Sequence, residues 1–444
     1  MTNFYEHEDD GFVVISTNTC QCSVTQAKEP RLLRAISKVA DEVGQEFWPI
    51  NVKIHDNPEL GYKEFIAHEA LTTFMKRRPG WKVTPSAYGM KTAWVAVYDT
   101  GKKGAVVSFN AEMDCLPGIG HSCGHNLIAS ASVVGAIAAA EIMKDENLPG
   151  KIVLFGTPAE EGGGGKIRLL EAGAYSDHKV DISLISHPGI TPDAARMRTT
   201  AYEQFKVEYY GREAHAAANP WLGINALDAL ISAYNNVSML RQQNMPGDIV
   251  QGYITHGGIA PNIIHAYASG QFVVRASTQS RLEELRKKVY ACFEAGAKAT
   301  GARMVLTKGG AYKDHIPNEV LAQSYTRYFN ALNPEHMILG NAELDETRGT
   351  TLASTDQGDM SYAMPSLSPE FYIRPGPQGQ GPHNPEFAEA ARTKDAYEKA
   401  VRVAKGLAGV AVDVLGSKEL LESVKRSWRE RMDTGGQLYE ASSM

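Results

Sequence analysis

The run from Leu127 to Met143 limits the fold more than any other stretch of the chain. Its polar residues are Ser130, Ser132 and Glu141, among otherwise small or apolar side chains. Such a run must leave water. Its interruptions suit a helix buried in a protein core better than a membrane span. Directly before it stands Gly-Ile-Gly-His-Ser-Cys-Gly-His-Asn, residues 118–126. The most buried helix expected in the chain therefore starts at a Cys-x-His pair. In extended or turning chain, residues i and i+2 point the same way. Cys123 and His125 could then hold one ion, or be a buried thiol beside a packed imidazole.

Around this run, strand and helix patterns alternate. Helical spacing begins near Pro30 and places Leu33, Ile36, Val39, Ala40 and Val43 on one face. Residues 54–61 read as a loop, and 63–76 as a second amphipathic helix. Residues 92–98, 105–110, 151–157 and 182–186 read as strands, and 174–177 as a connection. Alternation of this kind implies an α/β sheet covered by helices on both faces. The character changes near Thr199. Strands at 200–210, 249–255, 266–276 and 303–307 enclose helices at 225–243 and 282–300. That β-α-β-β-α-β order predicts a ferredoxin-like α+β unit inserted into the first domain. The expected division is an N-terminal extension at 1–28, a catalytic domain at 29–198 and 314–444, and the insert at 199–313. A final core helix is expected over 393–414, with a polar tail after Arg429.

The length of 444 residues favours two domains over one core. A net charge of −6 without a dense Lys/Arg run argues against nucleic-acid or membrane partners. The five cysteines are scattered, which suits a reducing cytoplasm rather than a disulfide framework. Cys20-x-Cys22 reads as incidental. The acidic N-terminus lacks a basic region followed by an apolar run, so no secretory signal is expected.

Further candidate residues sit at expected strand ends, where open α/β sheets carry their functional groups. The strand at 151–157 leads into Pro-Ala-Glu160-Glu161 and four glycines. Adjacent side chains diverge, so one carboxylate could bind metal while the other faces a water. A solvated acidic loop is the alternative. The next strand leads to His187, and a Pro/Gly-rich loop carries His383. Each of these histidines could equally be structural or exposed. Together Cys123, His125, Glu161, His187 and His383 form a set of borderline donors suited to zinc, with manganese, cobalt or nickel as further candidates. Two ions would need a bridging group, either Cys123 or a water. Glu160 is left as general base and acid.

The motifs IHDNPELGYKE, NAEMDCLPGIGHSCGHN, TPAEEGGGG, SHPG, GREAHAAANPWLGINALDAL, THGGIAPNIIHAYAS, STDQGDMS and GPHNPEF occur in this order. In them the chain resembles the aminoacylase–dipeptidase metallopeptidases, peptidase family M-twenty. The likeness is to the branch that includes auxin-conjugate and aminobenzoyl-glutamate amidohydrolases, and within it to the dipeptidase type. The resemblance implies a zinc-peptidase-like catalytic domain with a mixed sheet, plus an inserted dimerisation or lid domain. It implies two divalent ions on Cys123, His125, Glu161, His187 and His383, with Glu160 as catalytic base. Asp114 matches an Asp that orients a metal-binding imidazole. Glu112 stands where other branches carry a metal-binding His and is left out of the ligand set. His215 matches a histidine that reaches a partner subunit's active site, so a homodimer is implied. Asn262 matches a polar residue of the same region. Arg275 could meet a substrate carboxylate or be an ordinary surface-strand arginine. The branch usually reads Cys-Gly-His-Asp, whereas this chain has Asn126, which favours the dipeptidase type. The implied reaction is hydrolysis of the amide bond of a small dipeptide or N-acyl amino acid. The alternatives are a specialised-pathway amidohydrolase, an amide-forming enzyme, or an inactive amide-binding homologue.

Overall fold

A computed structural model describes residues 29–434. The expected N-terminal extension, with Cys20 and Cys22, lies outside the described residues. The strands in chain order are β1 (Trp81–Pro85), β2 (Trp94–Asp99), β3 (Val106–Glu112), β4 (Lys151–Thr157), β5 (Ile182–Leu184), β6 (His187–Gly189), β7 (Ala201–Tyr210), β8 (Ile249–His256), β9 (Tyr267–Ala276), β10 (Arg303–Tyr312), β11 (Ser366–Leu367) and β12 (Glu370–Tyr372). The main sheet has the order β1-β2-β4-β3-β5-β11. It is mixed. β1 and β2 run antiparallel to their neighbours, while β4, β3, β5 and β11 are mutually parallel.

Period-2 alternation explains why both faces are covered. On β3 and β4, Val107, Phe109, Ala111, Ile152 and Leu154 point into one core, and Val106, Val153 and Phe155 into another. The first core is built from α1 (Leu33–Asp56), α3 (His125–Asp145) and the helix Lys394–Gly416, with α2 (Phe65–Lys76) at its margin. Helix α3 is long and apolar enough to cross a membrane, but 94% of its apolar window is buried inside the protein. It is a core helix, as its composition predicts. Each large side chain buried here contributes roughly 1.5–3 kcal/mol.

The insert forms the second sheet, order β10-β7-β9-β8, all antiparallel. This is the ferredoxin-like arrangement. Burial alternates strictly along β7, turning Ala201, Phe205, Val207 and Tyr209 toward the helices Ala226–Leu240 and Gln279–Thr300. Asn225 and Thr278 cap those helices through their side-chain oxygens. Strand β8 lies at the sheet edge.

Several expected elements differ in the structure. Helix α1 runs through Ile54 to Asp56, because Ile54 is buried and continues its apolar face. Strand β1 is unannounced in sequence, since most of its side chains are solvent-facing and leave no alternation to read. Residues 174–178 form a short helix rather than a plain connection. Strand β10 continues to Tyr312 through an irregularity between Lys308 and Ala311. The described part of the expected tail is a further helix, Lys418–Asp433, in which only Leu421 and Val424 are buried, and residues 435–444 lie outside the described residues. Two anchors give too thin a stripe to mark a helix.

Candidate metal centre

Strand ends and one helix start bring the polar residues together. Strand β3 delivers Glu112 and leads into Asp114, both buried. The loop that follows closes on Gly124, whose φ of 75° lies in the left-handed region. A side chain there would collide with Pro188, its Cβ falling 2.6 Å from Cγ. Glycine thus lets the start of α3 pack directly onto β6. This contact puts Cys123 Sγ 3.4 Å from His187 Nε2. His187 was expected at the end of a main-sheet strand. It instead opens β6, which pairs with β12, because the chain leaves the main sheet after Leu184.

His125 is the first residue of α3 and is fully buried. Its Nδ1 lies 3.1 Å from Asp114 Oδ1, so Nδ1–H donates and Nε2 is left as a lone pair. Around Nε2 stand Glu112 Oε2 at 3.4 Å, Glu160 Oε2 at 3.7 Å and Glu161 Oε1 at 3.8 Å. In the same way His187 Nδ1 donates to the Pro188 carbonyl at 2.8 Å and turns Nε2 toward Cys123. His383 comes from the far end of the chain. Its Nε2 lies 3.4 Å from Glu161 Oε1, and its side chain is 57% exposed, which marks the open side of the site.

The donors fall into overlapping groups. Within each group, one atom per residue lies within 4.8 Å of every other: Cys123, His125 and His187; Cys123, Glu161 and His383; Glu112, His125 and Glu160. The first two groups share Cys123. His125 Nε2, Glu112 Oε2 and Glu161 Oε1 are buried and have no hydrogen-bond partner among the described residues. Imidazole lone pairs and carboxylate oxygens converging without donors between them are what a cation satisfies. The residues therefore fit a dinuclear divalent-metal site with Cys123 at its centre.

Two residues after β4 ends stands Ala159, a non-glycine residue with φ 53° and ψ 47°. Left-handed backbone of this kind costs on the order of 1–3 kcal/mol and persists where the surroundings fix it. It turns Glu160 inward and buries it. Burial, then the charges of Glu112 and Glu161, push the Glu160 carboxyl well above its ordinary range. Burial opposes ionisation of Asp114 too, but the His125 imidazole beside it holds that carboxyl below the usual range. The Tyr312 hydroxyl donates to the Glu160 carbonyl at 2.7 Å.

The other predicted residues lie apart from the donor groups. His215 Nδ1 accepts the N–H groups of Ala217 and Ala218, and His215 bridges Ile263 next to Asn262. These two residues sit together in the insert, and none of these hydrogen bonds reaches the metal-ligand candidates. Arg275 donates to Ser354 Oγ at 2.8 Å and lies over the Tyr202 ring.

Sequence reasoning missed Lys166 and Asp356. Lys166 is fully buried, with Nζ 2.5 Å from Glu112 Oε1 and also paired with Asp356. The lysine directly after the glycine run was a legible signal. Asp356 had none, being remote in sequence. Glu112, set aside as a ligand, has one oxygen on Lys166 and the other facing His125.

A mixed sheet, a donor set gathered from the turn after β4, the start of α3, β6 and the His383 loop, and Glu160 beside it make the apparatus of a metal-dependent hydrolase. Residues 108–278 match the model of peptidase family M20/M25/M40. The chain is 38% identical to the Xaa-Arg dipeptidase of Mus musculus over 91% of this chain and 94% of that one. It is equally similar to the Xaa-Arg dipeptidase of Homo sapiens, with 88% and 91% covered. A solved dinuclear metal-binding peptidase from Bacillus subtilis superposes with TM-score 0.65 at 17% identity, covering 84% of this chain and 99% of that one. The chain belongs to peptidase family M20/M25/M40.

Proposed function

We propose that the protein hydrolyses the amide bond of small dipeptides, with N-acyl amino acids as the neighbouring substrate class. The observation that carries this is the sharing of Cys123 by two donor groups, with Glu160 Oε2 only 3.7 Å from His125 Nε2. One ion would take Cys123, His125 and His187, the other Cys123, Glu161 and His383. Zinc suits this mixture of sulfur, nitrogen and oxygen donors. When bound, the ions supply Lewis acidity to the scissile carbonyl and lower the pKa of the attacking water.

The chain's own residues do the rest. Glu160 accepts a proton from the water at Oε2 and later gives it to the leaving amine. Asp114 keeps His125 in the Nδ1–H tautomer. Arg275 is half-buried above Tyr202 and offers a cation for a substrate carboxylate. The similarity to Xaa-Arg dipeptidases supports a basic C-terminal residue in the substrate.

The reading includes a homodimer in which His215 of a second copy steadies the oxyanion. Its support is the outer edge of β8, unpaired among the described residues, where Tyr253 and Ile254 are exposed. A cytoplasmic location is part of the proposal, supported by the free thiols Cys115, Cys123 and Cys292.

The test is a panel of dipeptides and N-acyl amino acids run on metal-reconstituted protein. Glu160→Gln should lower kcat by about 10²–10⁴-fold while metal content is kept. Unchanged turnover in that variant would refute the proposal.

A further inference from the structure

Residues 57–66 supply none of the proposed donors, yet they grip the turn that carries Glu160. Glu64 is fully buried. Its Oε1 accepts the backbone N–H of Ala159 at 2.8 Å and that of Tyr62 at 3.0 Å. Ala159 is the left-handed residue directly before Glu160. Tyr62, itself left-handed with φ 62°, donates its hydroxyl to the Gly163 carbonyl at 2.6 Å, on the far side of the same turn. At Gly61 a side chain would bring its Cβ within 2.8 Å of Ala159 Cβ. The segment is itself fixed: the Glu59 carboxylate accepts the N–H groups of Ile66 and Ala67 at the start of α2, and the Glu59 carbonyl accepts that of Cys115, next to Asp114.

The turn is thus held from three directions. Glu64 takes the N–H before Glu160, Tyr312 takes its carbonyl, and Asp114 takes the N–H of Glu161 at 2.9 Å. Of these, the hold by Glu64 acts on the residue with the unfavourable backbone. A carboxyl group buried this completely is an expensive acceptor for two backbone donors. A bound water could accept the same N–H groups. Only an acceptor fixed to a helix start holds them in one place.

We propose that Glu64 is a positioning residue for the reaction: by holding the Ala159 N–H it fixes the left-handed turn and so the direction in which Glu160 points. The inference rests on the reading of Glu160 as the proton carrier. Misplacing a reacting group by about 1 Å can lower a rate by about 100-fold.

The test compares Glu64→Gln, Glu64→Asp and Glu64→Ala in the metal-loaded, full-length protein, with kcat, KM, bound metal and melting temperature measured for each. Gln keeps an oxygen at the same reach and should stay within about threefold of the original kcat. Asp keeps the charge but withdraws the oxygen. It should lose about 10–100-fold in kcat with KM and metal content unchanged. Ala should lose at least as much, and Asp serves alone if Ala does not fold. Original kcat per bound metal in the Asp variant, with only the melting temperature lowered, would overturn the inference and leave Glu64 a structural residue. Glu160→Gln run alongside separates the two claims. If it is inactive while Glu64→Asp is fully active, only the positioning role falls. If it is fully active, the reading of Glu160 falls and the positioning role with it.

Discussion

Asp114 and His125 are joined by a 3.1 Å hydrogen bond between two fully buried side chains, and the second Asp114 oxygen accepts the Glu161 N–H. One carboxylate therefore orients a candidate ligand on α3 and the backbone of another after β4. Asp114→Asn retains one acceptor and loses the charge. Metal affinity is expected to fall by about 10–100-fold, read as the ions retained after dialysis against a graded chelator.

Cys123 belongs to both donor groups that form the proposed centre. Burial pushes its thiol up, so without a cation it stays protonated. Cys123→Ser should bind fewer ions per chain. In cobalt-substituted protein it should also lack the sulfur-to-cobalt absorption band that the original protein shows. An unchanged band would remove Cys123 from the centre.

Lys166 separates two buried carboxylates, Glu112 and Asp356. Lys166→Met leaves both uncompensated. The unfolding free energy of the metal-free protein should drop by about 3–5 kcal/mol, measured by urea titration. Using metal-free protein keeps the loss apart from any change in ion binding.

Asp193 gives a pH signature away from the centre. It is buried, with Oδ1 2.8 Å from the Tyr372 N–H, and burial pushes its carboxyl up to about 6. The folded state thus holds this proton more tightly than the unfolded chain, whose value is about 3.9. Its contribution to stability is intact below about pH 4 and is lost as pH rises through 6. Asp193→Asn keeps the acceptor and never ionises. It should be more stable than the original protein at pH 7.5, by on the order of 2 kcal/mol, and the difference should vanish near pH 4. Denaturant midpoints across this range check it.

Much of this architecture is written in local patterns. The apolar run before Met143 announced α3 because its small side chains leave few alternatives to burial. The strict alternation along β7 announced the inserted sheet. Cys123, His125, Glu161, His187 and His383 could be picked out because each stands next to glycine, proline or a strand end. Their grouping was implied by the ordered motifs, but the packing that allows it was not legible, since it depends on Gly124 letting α3 meet β6. Lys166 stood in view after the glycine run, but its pairing, like that of Asp356 and Glu64, stayed hidden for another reason. Their partners are backbone groups or carboxylates from distant segments, and a single sequence shows no such pairing. Helix Lys418–Asp433 was missed because its buried stripe is two residues wide.

Helix α3 carries His125 on its first turn and then disappears into the deepest packing of the chain. Ten residues further on, Gly135 sits where a Cβ would touch the Ala404 carbonyl at 3.1 Å. The imidazole is therefore mounted on a rod that is closely packed along most of its length. Ion binding and global unfolding are thereby coupled: an ion held at the rod's tip would raise the temperature at which the chain gives way, by an amount set by its concentration and affinity.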